Sequence, residues 1–185
     1  MDRFSRRTFI TTLGGGVALA GCGNGLNSNG AATIDARVQA TLQQMYREVP
    51  DAQSLAGKSV GMLVMPLVTE AGFGFGGAYG RGALVVSGAT VDYYAQAKAS
   101  LGLQLGAQQY AHVLFFLTED ALAGFRTASG WVAGANVKYA VASEGGRFSA
   151  DTINITTPVV AVVFGTAGLI VGASLEGAKY TRIIP

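Results

Sequence analysis

Val60 to Val86 reads VGMLVMPLVTEAGFGFGGAYGRGALVV, and the fold class turns on how this stretch is read. Val60 to Met65 is an unbroken apolar run, which suits a strand covered on both faces. Pro66 should end it, because proline has no N–H to give a ladder. Further on, Gly72-Phe73-Gly74-Phe75-Gly76-Gly77 satisfies the GxGxxG spacing of a dinucleotide-binding loop. That chemistry needs the loop to open a helix whose N-terminus meets the pyrophosphate. Ala78 to Val86 follows instead, with a β-like texture, so no nucleotide site is expected. The glycines predict a bent strand or hairpin where neighbouring chains pass closely.

The rest of the chain supports a sheet with a few helices. Val113 to Leu117 is a second continuous apolar run; Val137, Tyr139 and Val141 alternate with Lys138, Ala140 and Ala142, and Ile153 and Ile155 with Thr152, Asn154 and Thr156. The alternating pairs are half-buried strands. Ile34, Val38, Leu42, Met45 and Val49 recur at spacings of three and four, which predicts one amphipathic helix stopped at Pro50. A short helical turn can begin at Asp51, whose carboxylate would cap it. Thr118 to Arg126 should form a further helix, with Thr118 as cap and Glu119 and Asp120 in the first turn, where the helix dipole favours acids. The expected fold is α+β: a bent, largely antiparallel sheet or partial barrel with two or three packed helices.

Thr152 to Leu175 lacks any charge and holds Gly168 and Gly172 at GxxxG spacing, so it is long enough to span a bilayer. Asn154, four threonines and Pro158 within it favour two buried strands joined near Gly165 to Gly168. A whole-chain outer-membrane barrel would need strands of about ten residues alternating apolar with polar. The continuous apolar runs and the helices do not fit that pattern.

Composition bounds the chemistry. Of 185 residues, 50% are hydrophobic and 13% charged, enough apolar surface for one sizeable core and too little polarity for disorder. The 27 glycines beside four prolines, about twice the usual glycine share, argue against a helix bundle. One Cys and one His exclude an intramolecular disulfide and leave too few ligands for a protein-only zinc site. No cofactor and no metal site is expected.

The N-terminus has the layout of a bacterial export signal. Arg6-Arg7 precede the apolar stretch Thr11 to Ala20, which is too short to cross a bilayer, and the arginine pair resembles the twin-arginine signal. Leu19-Ala20-Gly21-Cys22 resembles a lipobox, in which small residues admit the peptidase and the thiol is acylated. Residues 1–21 are then a signal peptide, 22–33 (CGNGLNSNGAAT) a flexible tether, and 34–185 the domain. Cleavage removes three of 13 basic and one of 11 acidic side chains, leaving ten of each. A formally neutral chain has little long-range pull on nucleic acid or anionic membranes. Attachment should come from acyl chains on Cys22, each buried CH₂ contributing about 0.8 kcal/mol. Gly23, where Asp would favour inner-membrane retention, points to the outer membrane, facing the periplasm.

Catalytic constellations are absent. His112, in Gln108-Gln109-Tyr110-Ala111-His112-Val113, has no acid or nucleophile near it in sequence, and reads as a packed or surface histidine. Glu119 and Asp120 are adjacent and would diverge on a helix. Ser100 and Ser174 lie outside any GxSxG elbow.

Three segments together resemble the SYLF-domain family, a lipid-binding and actin-associated domain family that also occurs in bacterial lipoproteins. They are Ala56 to Pro66, running through Glu70 to Gly77 and Tyr79 to Val85; Ala99 to Gln108; and Gly168 to Gly177 (GLIVGASLEG). The Trp-Pro feature of many members is replaced here by Asp92-Tyr93-Tyr94. The resemblance implies a non-enzymatic lipid-binding domain of α+β type. Actin binding is not carried over, since a bacterial envelope lacks that target. The expected partner is membrane phospholipid, through acylated Cys22 and the domain surface, with Phe73, Phe75 and Tyr79 as apolar contacts and Lys58 and Arg81 as headgroup partners. The alternative is a structural or interaction protein of the envelope, using an apolar patch or strand edge to hold an unidentified protein partner.

Overall fold

The computed structural model describes residues 28–134, 137–141, 158–165 and 175–185, with the backbone alone for 73–75, 100–106 and 138–141. Arg6, Arg7 and Cys22 lie outside the described residues, as do Ile153, Ile155 and the Gly168 to Ser174 portion of the last family-like segment. The chain runs α1 (Gly30–Glu48), α2 (Asp51–Lys58), β1 (Gly61–Val86), β2 (Ala89–Phe116), α3 (Glu119–Thr127), β3 (Trp131–Val132), β4 (Val137–Val141), β5 (Val159–Gly165) and β6 (Lys179–Ile183).

The decisive stretch is one strand of 26 residues, not a strand that Pro66 ends. β1 pairs antiparallel with β2 along its length. Three register shifts bend the pair, between Met65 and Val68, Gly72 and Gly74, and Leu84 and Val85. Pro66 falls in the first of these, where the ladder is already interrupted and its missing N–H costs no pairing. The glycine-rich stretch is a bend within β1, facing glycines on β2 in the pairs Gly72↔Gly106 and Gly74↔Gly102. The reversal comes later, at Ser87-Gly88, where Val86 still pairs with Ala89. Both turn residues have positive φ, 51° and 80°, the geometry that matches a two-residue turn to the twist of its strands.

Strands this long cannot stay flat, and β1 curls until its second limb lies on its first. A Cβ on Gly80 would sit 2.7 Å from the Leu67 carbonyl oxygen and 2.8 Å from Val68 Cγ2. One on Gly82 would overlap the Val64 carbonyl oxygen and lie 2.6 Å from Met65 Sδ. Only hydrogen fits between the limbs at Gly80 and Gly82, beyond the Gly72 to Gly77 stretch where a close approach was expected.

β2 carries β1 on one edge and, on the other, β6 against Tyr93 to Ala97 and β5 against Tyr110 to Phe116. β3 extends the sheet beyond β6, and β4 beyond β5; the β4–β5 pair is parallel, and the other pairs are antiparallel. The sheet is a curled half-barrel.

Its two faces have separate cores. Val159, Ala161 and Val163 of β5 join Leu63, Met65, Leu114, Phe116, Leu122, Phe125 and Tyr180 on the inner face. Val160, Val162 and Phe164 join Val64, Val113, Phe115 and the apolar stripe of α1 on the other. A strand buried on both faces reads as a continuous apolar run, as β5 and the ends of β1 and β2 do.

α1 buries Ile34, Val38, Leu42, Met45 and, just past its end, Val49, the residues of the expected stripe. It starts four residues earlier than expected, at Gly30, so residues 30–33 are helical. Asp35 fastens it by accepting hydrogen bonds from Thr90 Oγ1 and Tyr93 Oη, both at 2.9 Å. Pro50, not Asp51, occupies the N-cap of α2. Thr118 caps α3 as expected, accepting from the Ala121 N–H at 3.2 Å.

Gly82→Ala should therefore lower unfolding stability by about 2 kcal/mol, as overpacking of a tight contact does. Gly57→Ala, in α2 with nothing within 4 Å of the new methyl, should be neutral or stabilising by up to ~1 kcal/mol. Urea denaturation of the two variants side by side checks this.

Candidate functional site

The bent hairpin presents two surfaces of opposite character. On its outer face Tyr79 is 57% exposed, because its register partner on β2 is Ala97 and the neighbouring pair is Gly77↔Ala99. Small residues leave the ring uncovered. Leu67, 36% exposed, comes close because its carbonyl meets Gly80 in the fold-back. Arg81, two residues beyond Tyr79, is half-buried on the same face. Of the residues expected from sequence, the fold thus groups Tyr79 with Arg81 and adds Leu67. Phe73 and Phe75 have their backbone in the same strand, and their side chains lie outside the described residues. Lys58 is exposed at the end of α2, separated from Leu67 by the first limb of β1, roughly 20 Å of strand.

On the inner face polar side chains converge in a sealed core. His112 and Gln96 are fully buried. His112 Nε2 and the Tyr180 hydroxyl are 2.9 Å apart, and the His112 ring lies 5.9 Å, centroid to centroid, from both Tyr110 and Tyr180. Gln96 is the register partner of Gly80 on β1 and of Tyr180 on β6. The Gln96 amide nitrogen and oxygen, the Tyr110 hydroxyl and His112 Nδ1 have no hydrogen-bond partner among the described residues. Burial raises the Tyr110 phenol, and Gln96 lies near enough to oppose that rise, but no pair of atoms between them reaches hydrogen-bond geometry. Burial also holds His112 far below the ordinary imidazole range, at about 3, so the ring is neutral at physiological pH.

Asp92-Tyr93-Tyr94 holds this part of the fold together. Asp92 takes Arg126 of α3 at 3.3 Å and Arg182 of β6 at 3.4 Å, while Tyr93 reaches Asp35 of α1. Tyr94 packs on Phe125 at 4.7 Å, ring centroid to centroid. Trp131, in β3, lies against Phe125 and Tyr180. Among the described residues no group of three His, Cys, Asp or Glu could hold a metal ion, and no helix is long and apolar enough to cross a membrane.

Residues 97–182, from the middle of β2 into β6, match a family model described as Ysc84: Las17-binding protein actin regulator. This segment matches the Ysc84, or SYLF, family, the one the sequence resembles. It is a family of binding and regulatory domains. The SYLF match takes in Tyr110, His112 and Tyr180, and it leaves α1, α2 and β1 outside; Tyr79, Leu67 and Arg81 precede it. No curated protein matches the chain. The arrangement of Gln96, Tyr110 and His112 could not be seen in sequence, since residues 16 apart meet only through the curl of the hairpin. Gln96 did carry one signal: a lone polar side chain between Ala95 and Ala97 at a position where strand alternation turns it inward with Tyr94.

The buried histidine makes stability depend on pH with a definite sign. Its folded pKa lies below the unfolded value of about 6.5, so the unfolded chain binds the extra proton. The contribution is complete above pH 6.5 and is lost as pH falls toward 3. Between pH 7 and 5.5 the protein should lose about 1 kcal/mol on this account. His112→Gln should flatten that interval in urea titrations; an unchanged slope would assign the loss to other groups.

Proposed function

We propose that this chain is a lipid-anchored protein of the bacterial envelope whose SYLF domain touches phospholipid without transforming it. The reading rests first on the hairpin's outer face, where Tyr79 and Leu67 are exposed on strand segments that meet at Gly80, with Arg81 two residues beyond Tyr79. An aromatic ring and an aliphatic chain gain by entering the apolar edge of a leaflet, and a guanidinium suits a phosphate above it. Phe73 and Phe75 of the same strand are proposed as further apolar contacts from their sequence alone, and Lys58 would be a second, separate headgroup contact. Cys22, acylated after cleavage at Gly21, supplies the anchor, following export directed by Arg6 and Arg7. Gly23 directs the protein to the outer membrane, where it faces the periplasm. The polar groups converging inside the sheet are amide, phenol and neutral imidazole, without a nucleophile and acid in register, which supports binding over catalysis.

The family description names a protein partner, and Val132 on the edge strand β3 is 51% exposed. A protein-binding role through that edge is the second reading. It expects crosslinking to one protein and indifference to lipid composition.

Two experiments decide. Residues 22–185 with Cys22→Ala should float with phosphatidylethanolamine and phosphatidylglycerol vesicles. Leu67→Ser with Tyr79→Ser should weaken that association about tenfold, the loss expected on removing apolar contact equivalent to one side chain. No flotation at any composition would end the lipid-contact reading. Separately, radiolabelled palmitate should mark the wild type and not Cys22→Ala; an unlabelled wild type would remove the anchor.

A further inference from the structure

The inner polar cluster belongs to no part of the lipid-contact reading, and its chemistry is unusual for a core. Gln96 brings an amide with two donors and an acceptor into full burial, and both its polar atoms lack a partner among the described residues. An amide so placed is costly unless something completes it. The Tyr110 hydroxyl and His112 Nδ1, both buried and in the same condition, lie beside it. On the face they share, strand alternation continues outward from Gln96 to Lys98 and from Val68, the register partner of Tyr110, to Glu70. Those two are only half-buried, so the polar row runs from the core to the surface.

We infer that Gln96, Tyr110 and His112 line an internal site for an uncharged hydroxyl-bearing ligand. The donor set selects the class. An ion would be stripped of water with no counter-charge among these three groups. A hydrocarbon would leave the amide as it is. A hydroxyl group donates and accepts at once, so it can accept a hydrogen bond from the Gln96 amide N–H while donating one to the imidazole or to a neighbouring acceptor. Tyr180, already paired with His112 Nε2 at 2.9 Å, sets which role Nδ1 has left to offer. Hydroxyl chemistry has two sources here, solvent water and the alcohol groups of a polyol such as glycerol.

Two variants of the full mature chain test the site through the sign of their effect. Tyr110→Phe keeps the ring and removes only the hydroxyl; Gln96→Met keeps the length and removes the amide. With an occupant bound, each deletes one of its hydrogen bonds, and each should lower Tm by about 3 °C. If the groups face nothing, replacing them with apolar atoms relieves the burial of unpaired polarity, and Tm should rise or hold, which would overturn the site. Circular dichroism confirms that both variants fold. Glycerol titration then separates the sources. A saturable rise in Tm for the wild type, missing in Gln96→Met, identifies a polyol site. Equal glycerol responses, together with nuclear Overhauser effects from a long-lived water to the Gln96 amide protons, identify water. Destabilised variants with neither signature would also overturn the inference.

Discussion

The fold depends on one close approach, that of β1 to itself. Backbone meets backbone where Gly82 lies under the Val64 carbonyl and Gly80 under Leu67. No side chain larger than hydrogen can stand there without prising the limbs apart. Because the limbs close, the inner faces of β1 and β2 enclose a core of their own, into which α3 sends Leu122 and Phe125. The opposite face is left for α1 and α2. The same curl exposes Tyr79 and Leu67 on the outside and buries Gln96 with Tyr110 and His112 within.

Much of this was legible in the residues. Strands sandwiched between two cores must be apolar at every position, and the runs at Val60 to Met65 and Val113 to Phe116 said so. The stripe from Ile34 to Val49 mapped onto the buried side of α1 because a helix has a single period to satisfy. What misled was punctuation. Pro66 reads as a stop, but a bulge tolerates it. Gly72 to Gly77 reads as a bent strand or a hairpin; it is the bend, and the reversal comes at Ser87-Gly88, where two adjacent residues have positive φ. Local sequence reports what a residue permits; which bend the chain uses depends on contacts made elsewhere.

The candidate surfaces divide the same way. Tyr79 and Arg81 sit two apart on one strand, so their shared face follows from pleating alone. Leu67 joins them only through the fold-back, 12 residues away in sequence, and Lys58 is left apart for the same reason. The meeting of the inner cluster was hidden, beyond the lone inward polar position of Gln96, since Gln96, His112 and Tyr180 come from separate pairings of β2 with β5 and β6. Asp92-Tyr93-Tyr94 ties three elements to β2: Asp92 takes Arg126 of α3 and Arg182 of β6, Tyr93 reaches Asp35 of α1, and Tyr94 packs on Phe125 of α3.

Proton nuclear magnetic resonance of the chain in solution addresses the self-approach most directly. With Val68 Cγ2 2.8 Å and Val68 Cα 3.2 Å from the ideal Cβ position of Gly80, the Gly80 α-protons should show strong Overhauser effects to the Val68 α-proton and γ-methyl. Their absence, with the cross-strand effects between β1 and β2 intact, would mean an open hairpin and would contradict the enclosed core.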